Sequence, residues 1–501
     1  MSKVAFIRPH QSFEVEISPP LGSMALAAYA RRETNAEVRI FDLQIRTAGD
    51  DDLAREVAAF DPDLIGFSAL TCQAPEVKRL ASFMRRRLPE TPQIVGGPYG
   101  TAQAEQIIDE IPEADFAAIG EGERTLMELL AWRAGALDAE QIGGVARRVD
   151  GAAVVNPPRD AIADLDDLPF LAYDLVDVPA YSDVPRFSMV RKNKNYFAMF
   201  TSRGCPYKCN YCHLVFGKTF RFQSAERVLA ELEFLYNRYG VREIQFLDDI
   251  FNLRRDRAIA IFRGIVERGW DLSITFPNGI RIDILDEEVA DWMQKAGVVK
   301  SSVAIESASR RIQKDIKKNL RLDKAREGIR LLAERRIFTH GFFMMGFPGE
   351  TREELLETAR FARESRLHSA AFYFVLPLPG TPLYEQFESV VGRKQARARI
   401  QTHNNDPDMS SLSLAAAPAP EIRRIVRAAY FRFYANPSRA WRIVRDLPSK
   451  AQFVSLSFFA VVRGWWPHAE RDIHRWRHAL KIRWKSLRAF PMSAGGLRET
   501  P

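Results

Sequence analysis

The stretch RGCPYKCNYCHL, residues 203–214, holds three of the four cysteines of this 501-residue chain. Their spacing is Cys205-x3-Cys209-x2-Cys212, and an aromatic residue, Tyr211, stands directly before the third cysteine. An odd number of cysteines this close together does not indicate a disulfide framework. The chain enters a predicted strand at once with MSKVAFIRPH, so we expect no secretory signal and a reducing, cytoplasmic compartment in which thiols stay free.

Three neighbouring thiols indicate a metal site or an iron–sulfur cluster. A structural zinc site takes four ligands, and the nearby His213 adjoins Cys212, which makes shared tetrahedral ligation awkward. A 4Fe–4S cluster is also held by thiolates, normally four of them. Three thiolates would leave one iron open to another ligand. We therefore favour a 4Fe–4S cluster with an open iron, with zinc as the weaker alternative.

This spacing, with an aromatic residue before the third cysteine, resembles that of the radical S-adenosyl-L-methionine (SAM) superfamily. The resemblance implies that Cys205, Cys209 and Cys212 hold the cluster and that the amino and carboxylate groups of SAM chelate the open iron. It further implies that an external one-electron donor, of the flavodoxin or ferredoxin type, drives cleavage of SAM to methionine and a 5′-deoxyadenosyl radical.

The composition is that of a globular protein, with 46% hydrophobic and 27% charged residues. The formal net charge is +8, but residues 421–501 alone hold 17 Lys or Arg against 5 Asp or Glu. The basic character therefore belongs to the end of the chain, and we expect no nucleic-acid partner. The longest apolar run there, FVSLSFFAVV at 453–462, is too short to span a bilayer.

Residues 1–135 alternate five short apolar runs with amphipathic stretches, which predicts a doubly wound parallel sheet in an α/β fold. Ligands bind such sheets at the carboxyl ends of the strands. Three turns lie at the predicted ends, SALT at 68–71, GGPYGT at 96–101 and GEGE at 120–123. Glycine lets a bulky ligand approach the backbone, although each turn alone is also typical of an ordinary sheet of this class.

Together the turns resemble the cobalamin-binding domain that precedes many radical SAM domains. The resemblance implies contacts with cobalamin from Ser68, Leu70, Thr71, Gly96, Gly97, Gly120, Glu121, Gly122 and Glu123. The Asp-x-His-x-x-Gly motif, whose histidine ligates cobalt, is missing, because His10 is the only histidine before residue 213 and lacks the Asp and the Gly. We interpret His10 as a loop residue and expect cobalamin without a lower histidine ligand.

Residues 136–190 are interpreted as a linker and residues 191–390 as a second α/β domain. Six predicted strands with helical stretches between them indicate a partial (βα)6 barrel of the radical SAM type, with its active site at the strand carboxyl ends. The resemblance implies that SAM contacts Tyr211, Asp248, Asp249, Asn278, Arg281, Glu306 and Ser307. A helix cap or a core ion pair is the ordinary alternative for each single polar residue at a strand end.

Residues 391–501 are predicted to be helical and basic, and they hold five of the eight tryptophans. One interpretation is a helical cap on the barrel. The other is peripheral contact with the inner membrane surface or with a lipid-like substrate, because Trp and Arg on an amphipathic helix suit an interface. Cys72, which follows the first turn, is interpreted as a buried free thiol without an assigned function.

These features predict a cobalamin-dependent radical SAM enzyme that resembles class B methyltransferases and the anaerobic Mg-protoporphyrin monomethyl ester cyclase. The expected reaction transfers a methyl group from methylcobalamin to an unactivated carbon of a small-molecule or lipid-like substrate, after the 5′-deoxyadenosyl radical has removed a hydrogen. One alternative is an oxidative cyclase or rearrangement enzyme that uses cobalamin as an electron relay. Another is a non-catalytic cobalamin-binding sensor or scaffold.

Overall fold

The computed structural model describes residues 1–10, 17–46, 49–184, 186, 188, 190–213, 215–403 and 412–449. These residues form two sheets covered by helices, followed by further helices. The predicted α/β class, with a doubly wound sheet before a partial barrel and a helical region after it, is confirmed.

The first sheet consists of β1 (Lys3–Arg8), β2 (Glu37–Asp42), β3 (Leu64–Ser68), β4 (Gln93–Gly96), β5 (Phe116–Ala118), β6 (Val145–Val149) and β7 (Ala152–Val155). Across the sheet the order is β2-β1-β3-β4-β5-β6-β7. The first five strands are parallel, and β6 and β7 add an antiparallel hairpin at one edge. This hairpin lies in the segment that was predicted as linker, so the sheet extends past residue 135.

Five helices connect the strands of the first sheet. They are α1 (Leu21–Thr34), α2 (Asp50–Phe60), α3 (Ala74–Arg87), α4 (Gly97–Glu110) and α5 (Glu123–Arg133). In α3 the buried residues Val77, Leu80, Ala81 and Met84 recur at helical spacing and form one apolar stripe. That stripe packs in the same buried cluster as Ile65 and Val95 of the sheet, which fixes the helix against the sheet face.

The second sheet consists of β8 (Tyr196–Met199), β11 (Glu243–Phe246), β12 (Ser273–Ile280), β13 (Val298–Glu306), β14 (Phe338–Met345) and β15 (Ser369–Phe374). All neighbours are parallel, and each strand pairs with the next one in the chain. Strands β9 (Ser202–Arg203) and β10 (Arg221–Phe222) form a separate two-stranded antiparallel ribbon. The six strands are those expected for the partial barrel.

Helices follow the strands of the second sheet, namely α6 (Ala225–Arg238), α7 (Arg255–Glu267), α8 (Glu287–Lys295), α9 (Arg310–Asp315), α10 (Leu322–Glu334) and α11 (Arg352–Glu364). Phe246 and Phe276 stack with ring centroids 5.5 Å apart, and Phe262 of α7 meets Phe276 edge-on. One face of the sheet is therefore packed against helices. In a barrel of this kind the active site lies at the carboxyl ends of the strands.

The last described helices are α12 (Pro382–Val391), α13 (Arg393–His403), α14 (Ala419–Tyr434) and α15 (Pro437–Asp446). Helix α14 buries Ile422 and Phe433 completely, and its Tyr430 hydroxyl accepts a hydrogen bond of 2.9 Å from the Phe372 backbone of β15. This helix completes the barrel core, as the cap interpretation expects. The interfacial interpretation covers residues 391–501, of which residues 404–411 and 450–501 lie outside the described residues.

Trp441 of α15 is 66% exposed, and the other four tryptophans of the carboxyl-terminal region lie outside the described residues. Within the part of the chain that the structure describes, no helix is both long and apolar enough to cross a bilayer.

Candidate active site

The cysteine loop connects the two strands of the ribbon. Gly204 has a φ of +82°, and a Cβ atom there would collide with the carbonyl oxygen of Thr219. Only glycine fits this turn. The backbone N–H of Cys205 then donates to the Gly217 carbonyl at 3.3 Å, across the base of the loop. The ribbon thus closes the loop and holds the three thiols on one short segment.

The three thiols of the loop are half-buried and free of disulfides. Burial raises the pKa of Cys212 to about 12, and the neighbouring Cys209 and Asp249 add to the rise; burial also raises the pKa of Cys205. Such thiols bind as thiolates when a metal centre displaces their protons. Among the described residues, no three His, Cys, Asp or Glu side chains converge on a single ion. A 4Fe–4S cluster makes no such demand, because each thiolate binds a different iron, so the donor set fits a cluster.

Tyr211 connects the loop to the end of β13. Its hydroxyl donates to Glu306 Oε1 at 3.2 Å, and its ring lies 5.6 Å from that of Phe347. Lys318 completes a buried triad, since its Nζ lies 3.1 Å from Glu306 Oε1 and 3.3 Å from the Tyr211 hydroxyl. Glu306 has a φ of +65°, a conformation that a non-glycine residue rarely adopts. The structure therefore brings two predicted residues together through a lysine that the sequence analysis missed.

Ser307 points away from this triad. It is fully buried, and its hydroxyl lies 3.3 Å from Thr358 Oγ1 and 3.5 Å from Glu350 Oε1. Glu350 also accepts hydrogen bonds from the backbone of Gly346 and Phe347, and burial raises its pKa to about 7. Ser307 thus fixes the turn after β14, and its predicted contact with SAM stays a prediction.

The two aspartates after β11 have different surroundings. Asp248 is fully buried, and its Oδ1 accepts hydrogen bonds from the backbone and hydroxyl of Thr201 and from the Ser202 hydroxyl. Asp249 is partly exposed, and its Oδ1 lies 3.7 Å from His213 Nε2 in the cysteine loop. Asp248 therefore holds the segment that leads into the loop, whereas Asp249 is the carboxylate that faces it.

Asn278 and Arg281 lie at the end of β12. Asn278 is exposed, and its amide donates to the Leu247 carbonyl at 2.7 Å. Arg281 pairs with Asp283 at 2.5 Å, and its guanidinium carbon lies 4.0 Å from the ring centre of Tyr207 in the cysteine loop. The Arg281 charge already has a carboxylate partner here, so its predicted pairing with the SAM carboxylate stays a prediction.

The first two turns of the amino-terminal sheet adjoin each other. The Ala69 backbone N–H donates to the Gly96 carbonyl at 3.2 Å, and the Tyr99 N–H donates to the Ala69 carbonyl at 3.0 Å. Gly97 has a φ of +79°, and a Cβ there would lie 2.9 Å from the Ala69 oxygen and 3.5 Å from Ser68 Oγ. This close approach of the two turns explains why position 97 is a glycine.

The side chain of Gln73 holds the backbone of Leu70, and the neighbouring Thr71 is half-buried. Leu70 is 40% exposed, and its backbone N–H donates to Gln73 Oε1 at 2.8 Å. The Gln73 amide donates in turn to the Pro9 carbonyl after β1. His10 is an exposed loop residue, as expected, and burial raises the pKa of the Cys72 thiol.

The third turn is joined to the cysteine loop. Glu121 Oε1 lies 2.6 Å from Arg221 Nη2, and Glu123 Oε1 lies 2.6 Å from Arg203 Nη2, so both carboxylates pair with the ribbon. Burial would raise the pKa of Glu121, but Arg221 and Arg203 outweigh that effect and lower it. Gly120 has a φ of +76° and donates to Thr101 Oγ1 at 3.0 Å. In the structure, the two glutamates link the two domains, a role that the resemblance did not imply.

Comparisons with known proteins agree with this arrangement. The B12 binding domain family matches residues 15–130, and the Radical SAM superfamily matches residues 199–362. An uncharacterised methyltransferase of Pyrococcus horikoshii is 33% identical over 423 residues, which cover 84% of this chain and 88% of that protein. This chain belongs to the cobalamin-binding radical SAM family. Family membership makes it a radical SAM enzyme of the methyltransferase type, with a 4Fe–4S cluster, SAM and cobalamin as cofactors.

Two further proteins are similar to this radical SAM enzyme. The anaerobic magnesium-protoporphyrin IX monomethyl ester cyclase of a Synechocystis strain is 26% identical over 453 residues, which cover 89% of this chain and 87% of the cyclase. The solved structure of TsrM, a radical SAM methyltransferase from Kitasatospora setae with cobalamin and a [4Fe-4S] cluster bound, has a TM-score of 0.64 at 21% identity and covers 78% of this chain and 76% of its own. That likeness supports the fold.

Sequence reasoning missed three basic residues of the site, Arg203, Arg221 and Lys318. Arg203 directly precedes Gly204 and Cys205, so a charge at the entrance of the loop was visible in the sequence. Lys318 and Arg221 carry no comparable signal, because nothing in the neighbouring residues indicates a buried carboxylate partner.

Proposed function

We propose that this enzyme transfers a methyl group to an unactivated carbon of a small-molecule or lipid-like substrate bound between its two sheets. The observation that carries the proposal is that the carboxyl ends of both sheets face each other. The GEGE turn pairs with the cysteine ribbon, and the turn after β15 lies against α4, where a Cβ on Gly380 would be 3.5 Å from Ala102. A cofactor at each edge would face the same cleft.

When bound, the cofactors supply the hydrogen-abstracting radical and the methyl group. The chain holds and orients them. The three cysteine thiolates would hold the cluster, and the contacts among Tyr211, Glu306 and Lys318 hold the loop against the end of β13. The turn at Ser68 and Gly97 lies at the carboxyl end of the first sheet, where the nucleotide tail of cobalamin would bind. Asp249, which is partly exposed beside the loop, suits the ammonium group of SAM.

A second candidate function is oxidative cyclisation, with cobalamin as an electron relay. The observation that favours it is the likeness to the Synechocystis cyclase over nearly the whole chain. The two functions differ in their by-products, because only the methyltransferase releases S-adenosylhomocysteine in step with product.

The test uses reconstituted enzyme, methyl-labelled SAM, a chemical reductant and a small-molecule extract of cells that lack the gene. We expect a product that carries one labelled methyl group, with 5′-deoxyadenosine and S-adenosylhomocysteine in equal amounts. The Cys212→Ala variant is the inactive control. Product formation with 5′-deoxyadenosine and without S-adenosylhomocysteine would identify the cyclase function instead.

We also propose a flavodoxin- or ferredoxin-type electron donor and a peripheral contact with the inner membrane surface through the end of the chain. The excess of Lys and Arg in residues 421–501 supports the contact, and ten of these 17 basic residues lie in residues 450–501. Co-sedimentation with anionic vesicles at low and high salt tests it, with a version ending at residue 449 as the control. That version keeps α14, whose removal would uncover the barrel core. If the full chain ignores anionic vesicles at low salt, the idea fails.

A further inference from the structure

A cavity of about 490 Å³ lies on the barrel far from the cysteine loop. Helix α11 runs from the carboxyl end of β14 to the amino end of β15, so its last residues lie at the opposite edge of the sheet from the site. The cavity is lined there by residues 363–366, by the connection between α14 and α15 at 435–436 and by the first two residues of α15. It is therefore separate from the catalytic cleft.

Four arginines line this cavity, which are Arg363, Arg366, Arg432 and Arg442. Two of them have carboxylate neighbours, since Arg363 lies 3.3 Å from Glu364 and Arg366 lies 3.4 Å from Glu334. Within the described part of the chain, no ion pair engages Arg432 or Arg442, and Nε of Arg442 is buried without a hydrogen-bond partner. The cavity thus carries an excess of positive charge.

The positive charges of the arginines at this edge of the sheet repel one another. Burial lowers the pKa of Arg442, and the charges of Arg366 and Arg445 lower it further, whereas the Asp446 carboxylate opposes the shift in part. Arg439, directly beneath, is buried, and its guanidinium donates to backbone carbonyls such as those of Leu367 and Ser365. Burial and the charge of Arg442 lower its pKa to about 10. An anion would relieve this repulsion.

The helix end beside the cavity does not by itself supply the site. Asn436 already caps α15, because its Oδ1 accepts hydrogen bonds from the backbone of Ser438 at 3.0 Å and of Arg439 at 3.3 Å. The positive end of the helix only adds to the potential. The guanidinium groups are the donors that remain for a ligand.

We propose that this cavity binds a phosphate group, carried by a soluble phosphorylated metabolite or by a phospholipid headgroup. Guanidinium forks match the geometry of phosphate oxygens, and Arg432 and Arg442 reach the cavity from two different helices. An apolar rim accompanies the charge. Phe431 is 72% exposed one turn before Ala435, and Trp441 is 66% exposed three residues after Ser438, so both lie on helix faces beside the cavity. This site is independent of the catalytic proposal.

The experiment is calorimetric titration of the full-length protein with inorganic pyrophosphate at low salt. We expect saturable binding with one site, weakened about tenfold or more in the Arg432→Gln/Arg442→Gln double variant. The Arg366→Gln/Arg432→Gln variant changes only exposed side chains and should bind weakly while keeping the thermal stability of the parent. The matched control is Arg424→Gln/Arg427→Gln, which removes the same charge from exposed positions of α14 and should bind like the parent.

Two outcomes overturn the proposal. One is the absence of saturable heat with the parent protein, and the other is unchanged affinity in both cavity variants. Vesicles of phosphatidylglycerol and of phosphatidylcholine then identify the source of the phosphate. Co-sedimentation with phosphatidylglycerol that falls in the cavity variants, but not in the control variant, assigns the site to a lipid headgroup. If all variants co-sediment equally while the parent protein still binds pyrophosphate in the calorimeter, the site is assigned to a soluble phosphate.

Discussion

Glu121 of the amino-terminal domain and Arg221 of the cysteine ribbon form an ion pair of 2.6 Å in which both side chains are only 7% exposed. The neighbouring pair of Glu123 and Arg203 repeats the contact at 2.6 Å. Arg203 stands two residues before the first cluster cysteine, and Glu121 belongs to the turn predicted to contact cobalamin. The turn predicted to contact cobalamin and the cysteine ribbon therefore share one buried ion-pair network.

Breaking the first of these pairs should be costly. Arg221→Met leaves Glu121 buried with less compensation, and loss of one partner of a buried pair costs about 3–5 kcal/mol. The exposed pair of Arg330 and Glu327 is the matched control, because water screens an exposed pair and Arg330→Met should change the free energy of unfolding little. Urea unfolding measures both. Equal midpoints for the two variants would contradict a stabilising role of the network.

Replacing any of Cys205, Cys209 or Cys212 with Ala should abolish the broad thiolate-to-iron absorption and SAM cleavage, because three thiolates are needed to hold the cluster. Cys72→Ala is the control, since this thiol lies in the other domain, and the variant should retain its iron. The anaerobically reconstituted parent should contain about four irons and four sulfides. Stoichiometric zinc with retained function would show that the cluster assignment is wrong.

Lys318→Met should weaken SAM binding about tenfold or more. The Lys318 ammonium group neutralises the buried Glu306 carboxylate at the carboxyl end of β13. Without it, Glu306 and Tyr211 lose the partner that orients them. Lys317→Met removes the same charge from an exposed neighbour and should leave the affinity unchanged. Equilibrium dialysis with labelled SAM measures both. If the two variants bind SAM equally, the triad does not orient the cofactor.

The buried pair of His368 and Asp446 should make stability depend on pH. His368 Nδ1 accepts a hydrogen bond from the Thr339 N–H at 3.0 Å, so neutral His368 carries its proton on Nε2, 3.0 Å from Asp446 Oδ2. A second proton would face the Thr339 donor, and burial lowers the pKa of His368 below 6.5 although Asp446 opposes the shift. The unfolded state then binds more protons, so stability is complete above pH 6.5 and falls as the pH decreases through the lowered pKa.

His368→Gln should remove the decrease in stability that begins below pH 6.5, and His10→Gln, at an exposed loop position, should retain it. Urea unfolding at several pH values measures the effect. A slope of opposite sign in the parent, with stability rising on acidification through this range, would show that His368 is charged in the folded state.

Bound cobalamin should lack a protein imidazole below cobalt. The electron paramagnetic resonance spectrum of the Co(II) form should then show no strong splitting from a single lower nitrogen, and His10→Ala should leave the spectrum unchanged. A single-nitrogen splitting that disappears in His10→Ala would overturn the ligation prediction, and failure to bind cobalamin would contradict the assignment of the first domain.

The sequence by itself determined the strands, the turns and the cysteine loop, because their signals are local. Alternation of apolar runs with amphipathic stretches located the core strands of both sheets, and the cysteine spacing located the cluster loop. The hairpin of β6 and β7 also had a local signal that was overlooked. Asp150 and Gly151 both have positive φ, as the Asp-Gly pair of a two-residue hairpin turn requires.

Only the tertiary structure decided which polar residues are buried in a supporting contact and which face the cysteine loop. Asp248 and Asp249 are neighbours in sequence, yet one is buried beneath the cysteine loop and the other faces it. The partners of Glu121 and Glu306 come from distant segments, and the charge of Lys318 or Arg221 looks like any surface charge in the sequence. Which carboxylate a basic residue meets depends on how the two sheets approach and which side chains lose water, and no short stretch of sequence carries that information.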